Sequence, residues 1–283
     1  MEPRVTKLIE MGNFAIGADP EVFMWDPKTK QYRSSIGKIG GTKLAPRVLP
    51  GYQAHGIALQ EDNVAIEFNM HPVSQKEMFV KGVQKGLEAA SIEAKKYNCD
   101  IRIDPTALFD PSELLDPLAR MFGCEPDYCV WTGFQNPAPD AEKSPWRSAA
   151  GHIHIGTHQS TYPMVPLFPP RLLPNVVKAM DLFVGVPSLF MDKDQERRKQ
   201  YGRAGAFRPK CYGVEYRVLS NFWLRSRELT EWVFDQTKRA VTWVADGNVL
   251  DSDAEAAIPH CIDTFNMDIA NLLKEKFQLV TVQ

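Results

Sequence analysis

Four short segments of the chain each place two polar side chains two residues apart within an apolar, strand-like run. The pairs are Asp19 and Glu21, Glu67 and Asn69, His152 and His154, and Glu215 and Arg217. Residues i and i+2 of a strand point to the same face, so each pair would line one side of a sheet and leave the other side to apolar neighbours. Carboxylates gathered on one face repel each other unless a cation lies between them. The pattern therefore predicts a metal-bearing active site on an antiparallel sheet.

The length and composition of the chain fit a soluble globular protein. Its 283 residues can bury a large core, and we expect one domain over residues 1–283. Apolar residues make up 44% and charged residues 24% of the chain, and the net charge of -2 indicates no contact with nucleic acid. The apolar run at residues 172–191 is interrupted by Pro174, Lys178 and Asp181, which favours a core helix over a membrane span.

The cysteines and the N-terminus favour a cytoplasmic location, which would be the host cytoplasm if the chain is phage-encoded. The five cysteines contain no C-x-x-C pair, so neither a disulfide framework nor a zinc knuckle is indicated. No apolar stretch of a signal peptide follows Met1.

Strands are predicted near the N-terminus and helices after it. Alternation and turn signals predict strands at residues 14–25, 31–35, 63–69 and 100–104, with a glycine-rich loop at 37–43. Ser74 to Glu77 matches a capping box that opens a helix to residue 97. Further helices are expected at residues 111–122, 173–190, 227–245 and 265–277, a solvated charged helix end at 192–199, and loops at 124–150 and 201–209. This order indicates an α+β domain with helices on one face of an antiparallel sheet.

Each polar pair also has an ordinary structural explanation. Asp19-Pro20 favours a turn, and Pro20 is compatible with a strand only at an edge or a bulge. Glu67 with Asn69 would also suit an exposed strand face, and Glu215 with Arg217 a self-neutralising surface pair. His152 and His154 could be one satisfied core histidine and one exposed histidine. Because four segments share the same spacing, one common site explains them more simply than a separate cause for each pair.

The chemistry of the residues points to a metal-bound polyanion. Carboxylate oxygens suit Mg²⁺ or Mn²⁺, and the imidazoles of His152 and His154 can bind a metal or phosphate oxygens. Basic residues follow in the loop and strand next to Glu215; they are Arg203, Arg208, Lys210 and Arg217. A Mg²⁺-bound nucleoside triphosphate fits both the metal-binding residues and the basic residues. The chain has no P-loop and no kinase signature, so the nucleotide would bind on the sheet.

Together these motifs resemble the phage-encoded carboxylate–amine ligase family (COOH–NH2 ligase, type 2) of the glutamine-synthetase-like superfamily. The matching segments, in the family's order, are Gly17 to Glu21, Gly40 to Lys43, Asp62 to Asn69, Gly151 to Gly156 and Glu215 to Arg217. They span roughly residues 14–223. The chain departs from the superfamily's usual Glu-x-Glu opening, because Asp19 is shorter and Pro20 follows it.

The resemblance implies a curved antiparallel sheet that carries Mg²⁺ or Mn²⁺ and ATP. It implies that ATP activates a carboxylate as an acyl phosphate, which an amine then attacks to form an amide or peptide bond. Asp19, Glu21, Glu67, His152 and Glu215 would bind metal, and Arg217, Glu215 and Glu67 would serve catalysis. Nucleotide contacts would come from Arg203, Arg208, Lys43, His154 and Arg217.

Other functions remain open from the sequence. A metal-dependent hydrolase or a phosphotransferase could use the same sheet, and a non-catalytic interaction protein could retain the fold. A cupin-type oxygenase requires a Glu a few residues after His-x-His, and residues 155–159 contain none. The substrates would be a carboxylate and an amine of an amino acid, peptide or protein, and a homo-oligomer is possible. We expect the loop at 124–150 to contribute to the substrate pocket through Trp131, Asn136, Trp146 and Arg147.

Overall fold

The computed structural model describes residues 14–120, 127–137, 144–157, 168–169 and 171–282. Two antiparallel sheets and a short two-stranded ribbon contain the named strands of this part of the chain. Their strands are β1 (Phe14–Ala18), β2 (Glu21–Asp26), β3 (Gln31–Arg33), β4 (Arg47–Val48), β5 (Ala58–Asp62), β6 (Ala65–Asn69), β7 (Asp100–Arg102), β8 (Thr106–Leu108), β9 (Tyr128–Cys129), β10 (Trp146–Ser148), β11 (Ile153–Thr157), β12 (Ala206–Lys210) and β13 (Gly213–Tyr216).

The sheets have the strand orders β1-β11-β13-β12-β9 and β3-β2-β6-β5-β4, and β7 also pairs with β2. A separate ribbon joins β8 and β10. The chain passes directly from the first sheet to the second at Asp19-Pro20, between β1 and β2. This architecture confirms the predicted α+β class and the antiparallel pairing.

Helices cover the apolar faces of both sheets. They are α1 (Lys76–Lys95), α2 (Leu173–Met180), α3 (Val186–Met191), α4 (Glu196–Gln200), α5 (Arg227–Ala245), α6 (Ser252–Thr264) and α7 (Met267–Phe277). A wider helical turn, Asp181–Gly185, joins α2 to α3, and 3-10 helices lie at Gln53–His55, Pro111–Leu114, Pro117–Arg120 and Asn221–Arg225. Helix α1 packs on β5, β6 and β7, and α2 packs on β13.

The period-2 alternation predicted for the strands is confirmed. In β13, the hydroxyl of Tyr216 reaches the helix layer and donates to Asp181 Oδ1 over 2.7 Å, whereas Glu215 points to the opposite face. In β6, Phe68 contacts α1 while Glu67 faces away from it. Full burial of a residue such as Phe68 stabilises the fold by about 1.5–3 kcal/mol, so the helices fix which face of each strand remains polar.

The apolar run at Leu173–Met191 is long and apolar enough to cross a membrane, but 72% of its most apolar window is buried inside the fold. This burial is typical of a core helix, as the sequence indicated.

Several local predictions were wrong. Helix α1 begins at Lys76 with Gln75 as its N-cap, one residue later than the Ser74 to Glu77 motif implies, and the Gln75 side chain makes no capping hydrogen bond. The helix expected at 111–122 is replaced by the 3-10 helices Pro111–Leu114 and Pro117–Arg120, because a residue before proline disfavours helical geometry. Residues 121–122 lie outside the described part.

Tertiary contacts explain the other corrections. Part of the expected loop at 201–209 is strand β12, which pairs with both β9 and β13. Helix α6 was missed, and Phe265 is not a helix start, since its φ of 54° ends α6 in the left-handed region. The charged stretch 192–199 is not a solvated helix end, because Asp192 and Arg197 are buried. The long loop at 124–150 contains β9 and β10.

Two glycines of α1 allow the helix to approach β6 closely. A Cβ at Gly86 would collide with the ring of Phe68, whereas a Cβ at Gly82 would meet the flexible end of Met70. We predict that Gly86→Ala lowers the free energy of unfolding by about 1–3 kcal/mol despite the better helix propensity of alanine. Chemical denaturation measures the loss, and Gly82→Ala is the matched control with a smaller effect. Equal effects at the two positions would contradict this packing.

Candidate active site

The site is organised by the crossover Asp19-Pro20-Glu21 between the two sheets. Strand β1 ends at Ala18 and β2 begins at Glu21, so proline occupies the gap where no ladder hydrogen bond is donated. The carbonyl of Pro20 accepts from Phe68 N at 3.1 Å, and Glu21 N donates to Ala150 O at 2.9 Å. As a result, Asp19 and Glu21 enter two different groups of metal-competent side chains.

We name these groups the first and the second acid cluster. The first contains Asp19, His152 and Glu215, and the second contains Glu21, Asp62 and Glu67. In each cluster, one ligand atom from every member lies within 4.8 Å of the others. Pairing between strands brings them together, because Glu21 lies opposite Glu67 and His154 lies opposite Glu215.

The first acid cluster lies on the sheet of β11 and β13. His152 Nδ1 is 3.5 Å from Asp19 Oδ1 and 3.7 Å from Glu215 Oε1. His154 Nε2 is 3.1 Å from the same Asp19 oxygen, and His154 Nδ1 contacts the hydroxyl of Tyr212. Both predicted histidines therefore reach Asp19 from one strand face.

The electrostatics of the first cluster leave a neutral imidazole between two carboxylates. Burial, followed by the charge of Arg217, lowers the pKa of His152 to about 4. Burial acts to raise the pKa of Asp19, but His154 and His152 outweigh it and hold that pKa well below its usual value. Arg217 Nη1 lies 3.3 Å from His152 Nδ1, and a neutral imidazole can accept from it. Neutral imidazole and ionised carboxylate are the forms that bind metals.

Basic side chains compensate the charge of Glu215. Arg208 Nη1 and Lys210 Nζ lie 3.1 Å and 2.9 Å from its Oε2, and Arg217 pairs with its Oε1. Burial and Asp19 act to raise the pKa of Glu215, yet His152 and Arg217 help to lower it to about 2. Arg217 Nε also donates to Asp127 Oδ2 at 3.1 Å. Three cationic side chains therefore balance the charge of the buried Glu215.

The positive charge around the second acid cluster does not offset the repulsion between its carboxylates. Lys43 Nζ is 3.0 Å from Asp62 Oδ2, with its side chain 44% exposed, and Arg197 lies close enough to Glu21 to be stabilised by its charge. Burial, then the charge of Asp62, raises the pKa of Glu21 to about 8. Burial, then Asp19, raises the pKa of Glu67 well above its usual value. Three acids held this close fit a divalent cation, which would relieve their repulsion.

The glycine-rich loop does not present its backbone to a phosphate. The N–H groups of Gly37, Lys38, Ile39 and Gly40 donate to the carboxylate of Glu61 at 2.7–3.1 Å. Gly41 needs its φ of 84°, and a Cβ there would strike the carbonyl of Leu59. The loop thereby holds Lys43 beside Asp62, the residue that follows Glu61.

Two pockets flank the clusters. The first pocket has a volume of about 50 Å³ and is lined by residues that include Glu21, Asp62, Arg147, His152, Arg197 and Arg217. The second pocket, of about 260 Å³, is lined by small residues together with Asp19, Asn69, His154 and Tyr212. Members of the two clusters therefore line two separate cavities.

Some predicted residues lie away from the clusters. Arg203 is exposed and lines a different pocket, with Arg198 and Asp263. Trp131 Nε1 donates to Asp181, and Asn136 Nδ2 donates to Asp127. Trp146 is partly exposed beside Leu108.

Arg147, the fourth residue expected from the 124–150 loop, is buried and lines the first pocket. Its guanidinium donates to the carbonyls of Ala119, Ser144 and Trp146. Asn69 donates to Gln60 Oε1 at 3.2 Å and lines the second pocket.

Four residues of this region were not predicted from the sequence. They are Asp62 and Arg197, and the supporting residues Gln60 and Asn221. Gln60 and Asp62 have the same period-2 spacing in β5 as the four pairs, and this signal was present in the sequence. Gln60 Nε2 donates to Glu67 Oε1 at 2.8 Å. Asn221 Nδ2 donates to the carbonyl of Glu21 at 2.9 Å, a contact that no local pattern could predict.

Comparisons with known proteins identify a family. Residues 77–246 match the family described as Phage phiEco32-like COOH.NH2 ligase-type 2. Among solved structures, the chain is similar to a glutamine synthetase from Plasmodium falciparum, with a TM-score of 0.41 and 8% identity. The similarity covers 85% of this chain and 54% of the glutamine synthetase chain, so this chain spans about half the length of that protein. No curated protein matches the chain in sequence.

We predict that the second acid cluster makes stability depend on pH and on divalent cations. The pKa of Glu21 is raised in the fold, so its contribution is present at low pH and is lost as pH rises through about 8. Mg²⁺ or Mn²⁺ should restore it, since a cation at about 100 times its Kd adds about 2.7 kcal/mol, or roughly 5–10 °C in Tm. Thermal unfolding of chelator-treated protein at pH 5 and pH 8, with and without Mg²⁺, measures both effects.

The control for this prediction is Glu67→Gln, which removes one charge from the cluster without changing its shape. This variant should gain less from Mg²⁺ at pH 8 than the original chain. A Tm that does not respond to Mg²⁺ or Mn²⁺ at pH 8 would show that the cluster does not hold a cation.

Proposed function

Because the chain belongs to the phage phiEco32-like family of COOH–NH2 ligases of type 2, we propose that it is an ATP- and Mg²⁺-dependent carboxylate–amine ligase. In this proposal it forms an amide or peptide bond through an acyl phosphate. The observation that carries the proposal is the pair of acid clusters joined by Asp19-Pro20-Glu21, with arginines facing them. Such a site suits a reaction in which two anions, a carboxylate and a triphosphate, must approach each other.

The proposed reaction has two steps. A carboxylate oxygen attacks the γ-phosphorus of ATP, the bond to the bridging oxygen breaks, and ADP leaves with the electron pair. The amine then attacks the acyl carbon, phosphate leaves, and the nitrogen loses a proton as the amide forms. Bound divalent cations would neutralise phosphate charge and polarise the transferring group. No nucleophilic side chain of the protein is needed.

The acids would divide between two cation sites. Glu21, Asp62 and Glu67 would hold one cation, and Asp19, His152 and Glu215 would hold the other. The second cluster fits this role because its carboxylates repel one another. The first cluster fits it because its imidazole is neutral while its carboxylates are ionised.

The basic residues would bind and orient the phosphate groups. Arg217 reaches both Glu215 and Asp127, so its guanidinium is fixed at the boundary of the first cluster. Arg208 and Lys210 would move from Glu215 to phosphate oxygens when Glu215 binds a cation. His154 and Lys43 would contact nucleotide or substrate oxygens from opposite sides. Arg203 is proposed only as a peripheral phosphate contact, because it lines another pocket.

Burial supports a reaction through an acyl phosphate, which water would hydrolyse. Glu215, Arg217 and Glu67 are at most 5% exposed, so the reacting groups would meet away from bulk solvent. The same low-dielectric setting strengthens the attraction between arginine and phosphate.

The remaining parts of the proposal concern partners and location. The substrates would be a carboxylate and an amine carried by an amino acid, a peptide or a protein. We propose that the enzyme acts in the cytoplasm, without nucleic acid or a membrane, and that it can form a homo-oligomer.

We predict Mg²⁺-dependent binding of a non-hydrolysable ATP analogue. Arg217→Ala and Glu215→Gln should each weaken it by roughly tenfold or more, because each removes charge-assisted contacts worth about 1.5–3 kcal/mol. Isothermal titration calorimetry measures the affinity. Arg227→Ala is the control, since Arg227 is exposed on α5 and pairs with Glu77 and Glu231.

Hydroxylamine then separates a ligase from a phosphotransferase on the same sheet. A ligase forms a hydroxamate from its acid substrate and ATP, because hydroxylamine captures the acyl phosphate. Absence of analogue binding with every divalent cation would refute the nucleotide site and, with it, the proposed function.

A further inference from the structure

Arg197 on α4 is a buried guanidinium that the proposed reaction has not yet used. It is 2% exposed, although the charged segment around it looked solvated in the sequence. Its Nη1 donates to the carbonyl of Val218 at 2.8 Å, and its Nη2 to that of Arg217 at 3.5 Å. Its Nε has no hydrogen-bond partner among the described residues. Glu21 and Asp192 lie near enough to favour its charged form, yet Nε keeps an unused donor that a bound anion could accept.

The neighbouring backbone is shaped around this side chain. Gly202 has a φ of 75°, and a Cβ at this position would collide with Nη1 of Arg197. Burial, then the charge of Arg198, lowers the pKa of Arg197 to about 10, so the group remains protonated at neutral pH. The fold therefore buries the positive charge of Arg197, and the absence of a side chain at Gly202 leaves the space for it.

Arg197 forms one wall of the first pocket. Arg217 also lines this pocket, and Phe23, Val64 and Ala65 supply apolar surface to the lining. The pocket also reaches Glu21 and Asp62 of the second acid cluster. An aliphatic acid matches this combination, because its carboxylate can pair with the guanidinium groups while its stem packs on the apolar residues.

The size of the pocket restricts what can enter it. Its volume of about 50 Å³ is far below the roughly 300–1,000 Å³ of pockets that enclose whole drug-sized ligands. A nucleotide does not fit in this volume, and so small a volume favours a slim, unbranched stem over a branched or aromatic one. The second pocket, at about 260 Å³, is the larger of the two.

We propose that the first pocket binds the reacting carboxylate of the acid substrate, that Arg197 together with Arg217 is its ligand, and that the pocket selects a carboxylate at the end of an unbranched aliphatic stem. This inference rests on the proposed ligase function and assigns the acid to one side of the clusters. The rest of the acid substrate would stay outside the pocket. The reacting carboxylate can therefore belong to a side chain or to the end of a larger molecule.

Binding of simple acids tests the inference. Propionate and glutarate are the unbranched probes, and pivalate is the branched probe of similar charge. Ligand-observed NMR in the presence of Mg²⁺ and the ATP analogue measures their affinities for the original chain, Arg197→Gln, Arg197→Lys and Arg198→Gln. Arg198 is the matched control, because it neighbours Arg197 on α4 but donates to Gly202 O and Ser188 Oγ and lines the pocket of Arg203.

We expect propionate and glutarate to bind the original chain and Arg198→Gln with similar affinity. Arg197→Gln should weaken both by about tenfold or more, because a charge-assisted hydrogen bond is lost. Arg197→Lys keeps the charge and a donor for Val218, so it should remain folded and bind more weakly than the original chain. Pivalate should bind at least tenfold more weakly than propionate.

Three outcomes would overturn the inference: unchanged acid binding in folded Arg197 variants, equal binding of pivalate and propionate, or no binding of any acid to the original chain. Analogue binding separates these outcomes from failure of the proposed function. If Arg197→Gln binds the ATP analogue normally but loses the acids, both proposals stand. If the original chain does not bind the analogue, the ligase proposal itself fails.

Discussion

Repulsion between buried carboxylates is the constraint on which the rest of this structure depends. Glu21 and Glu67 lie opposite each other on paired strands, and Asp62 joins them within 4.8 Å. Burial and the neighbouring carboxylates raise the pKa of Glu21 to about 8 and that of Glu67 well above its usual value. A chain that needed only stability would place apolar residues there, since unpaired buried charge costs several kcal/mol. A bound cation would relieve this repulsion, and the proposed cation site rests on that observation.

Pro20 determines how the acids are divided. If β1 and β2 were one continuous strand, Asp19 and Glu21 would line the same patch of one sheet. The break between them sends Asp19 towards His152 and Glu215 and leaves Glu21 with the second cluster. The proline that weakened the strand interpretation in the sequence is thus the feature that creates two clusters from one short motif. The crossover also borders both pockets, because Glu21 lines the first and Asp19 lines the second.

The sequence predicted the site where the information was local. Period-2 spacing identified the polar faces of β6, β11 and the Glu215 strand, and those side chains do meet in space. The same rule extended to Gln60 and Asp62 would have found the third acid of the second cluster. Asn221 and Arg197 could not be found this way, because their roles depend on contacts with Glu21 and Val218 that are distant in sequence. Helix α6 and strand β12 were missed for a similar reason, since their contacts with distant parts of the chain outweigh the local effects of Pro259 and Pro209.

Measuring how many Mn²⁺ ions bind, and how far apart they lie, would test the central claim most directly. Electron paramagnetic resonance of the protein with Mn²⁺ and the ATP analogue reports both the stoichiometry and the magnetic coupling between ions. The account predicts two Mn²⁺ ions per chain with a dipolar-coupled spectrum, one at each acid cluster. A single uncoupled ion, or none, would contradict the division of the site into two cation-binding clusters.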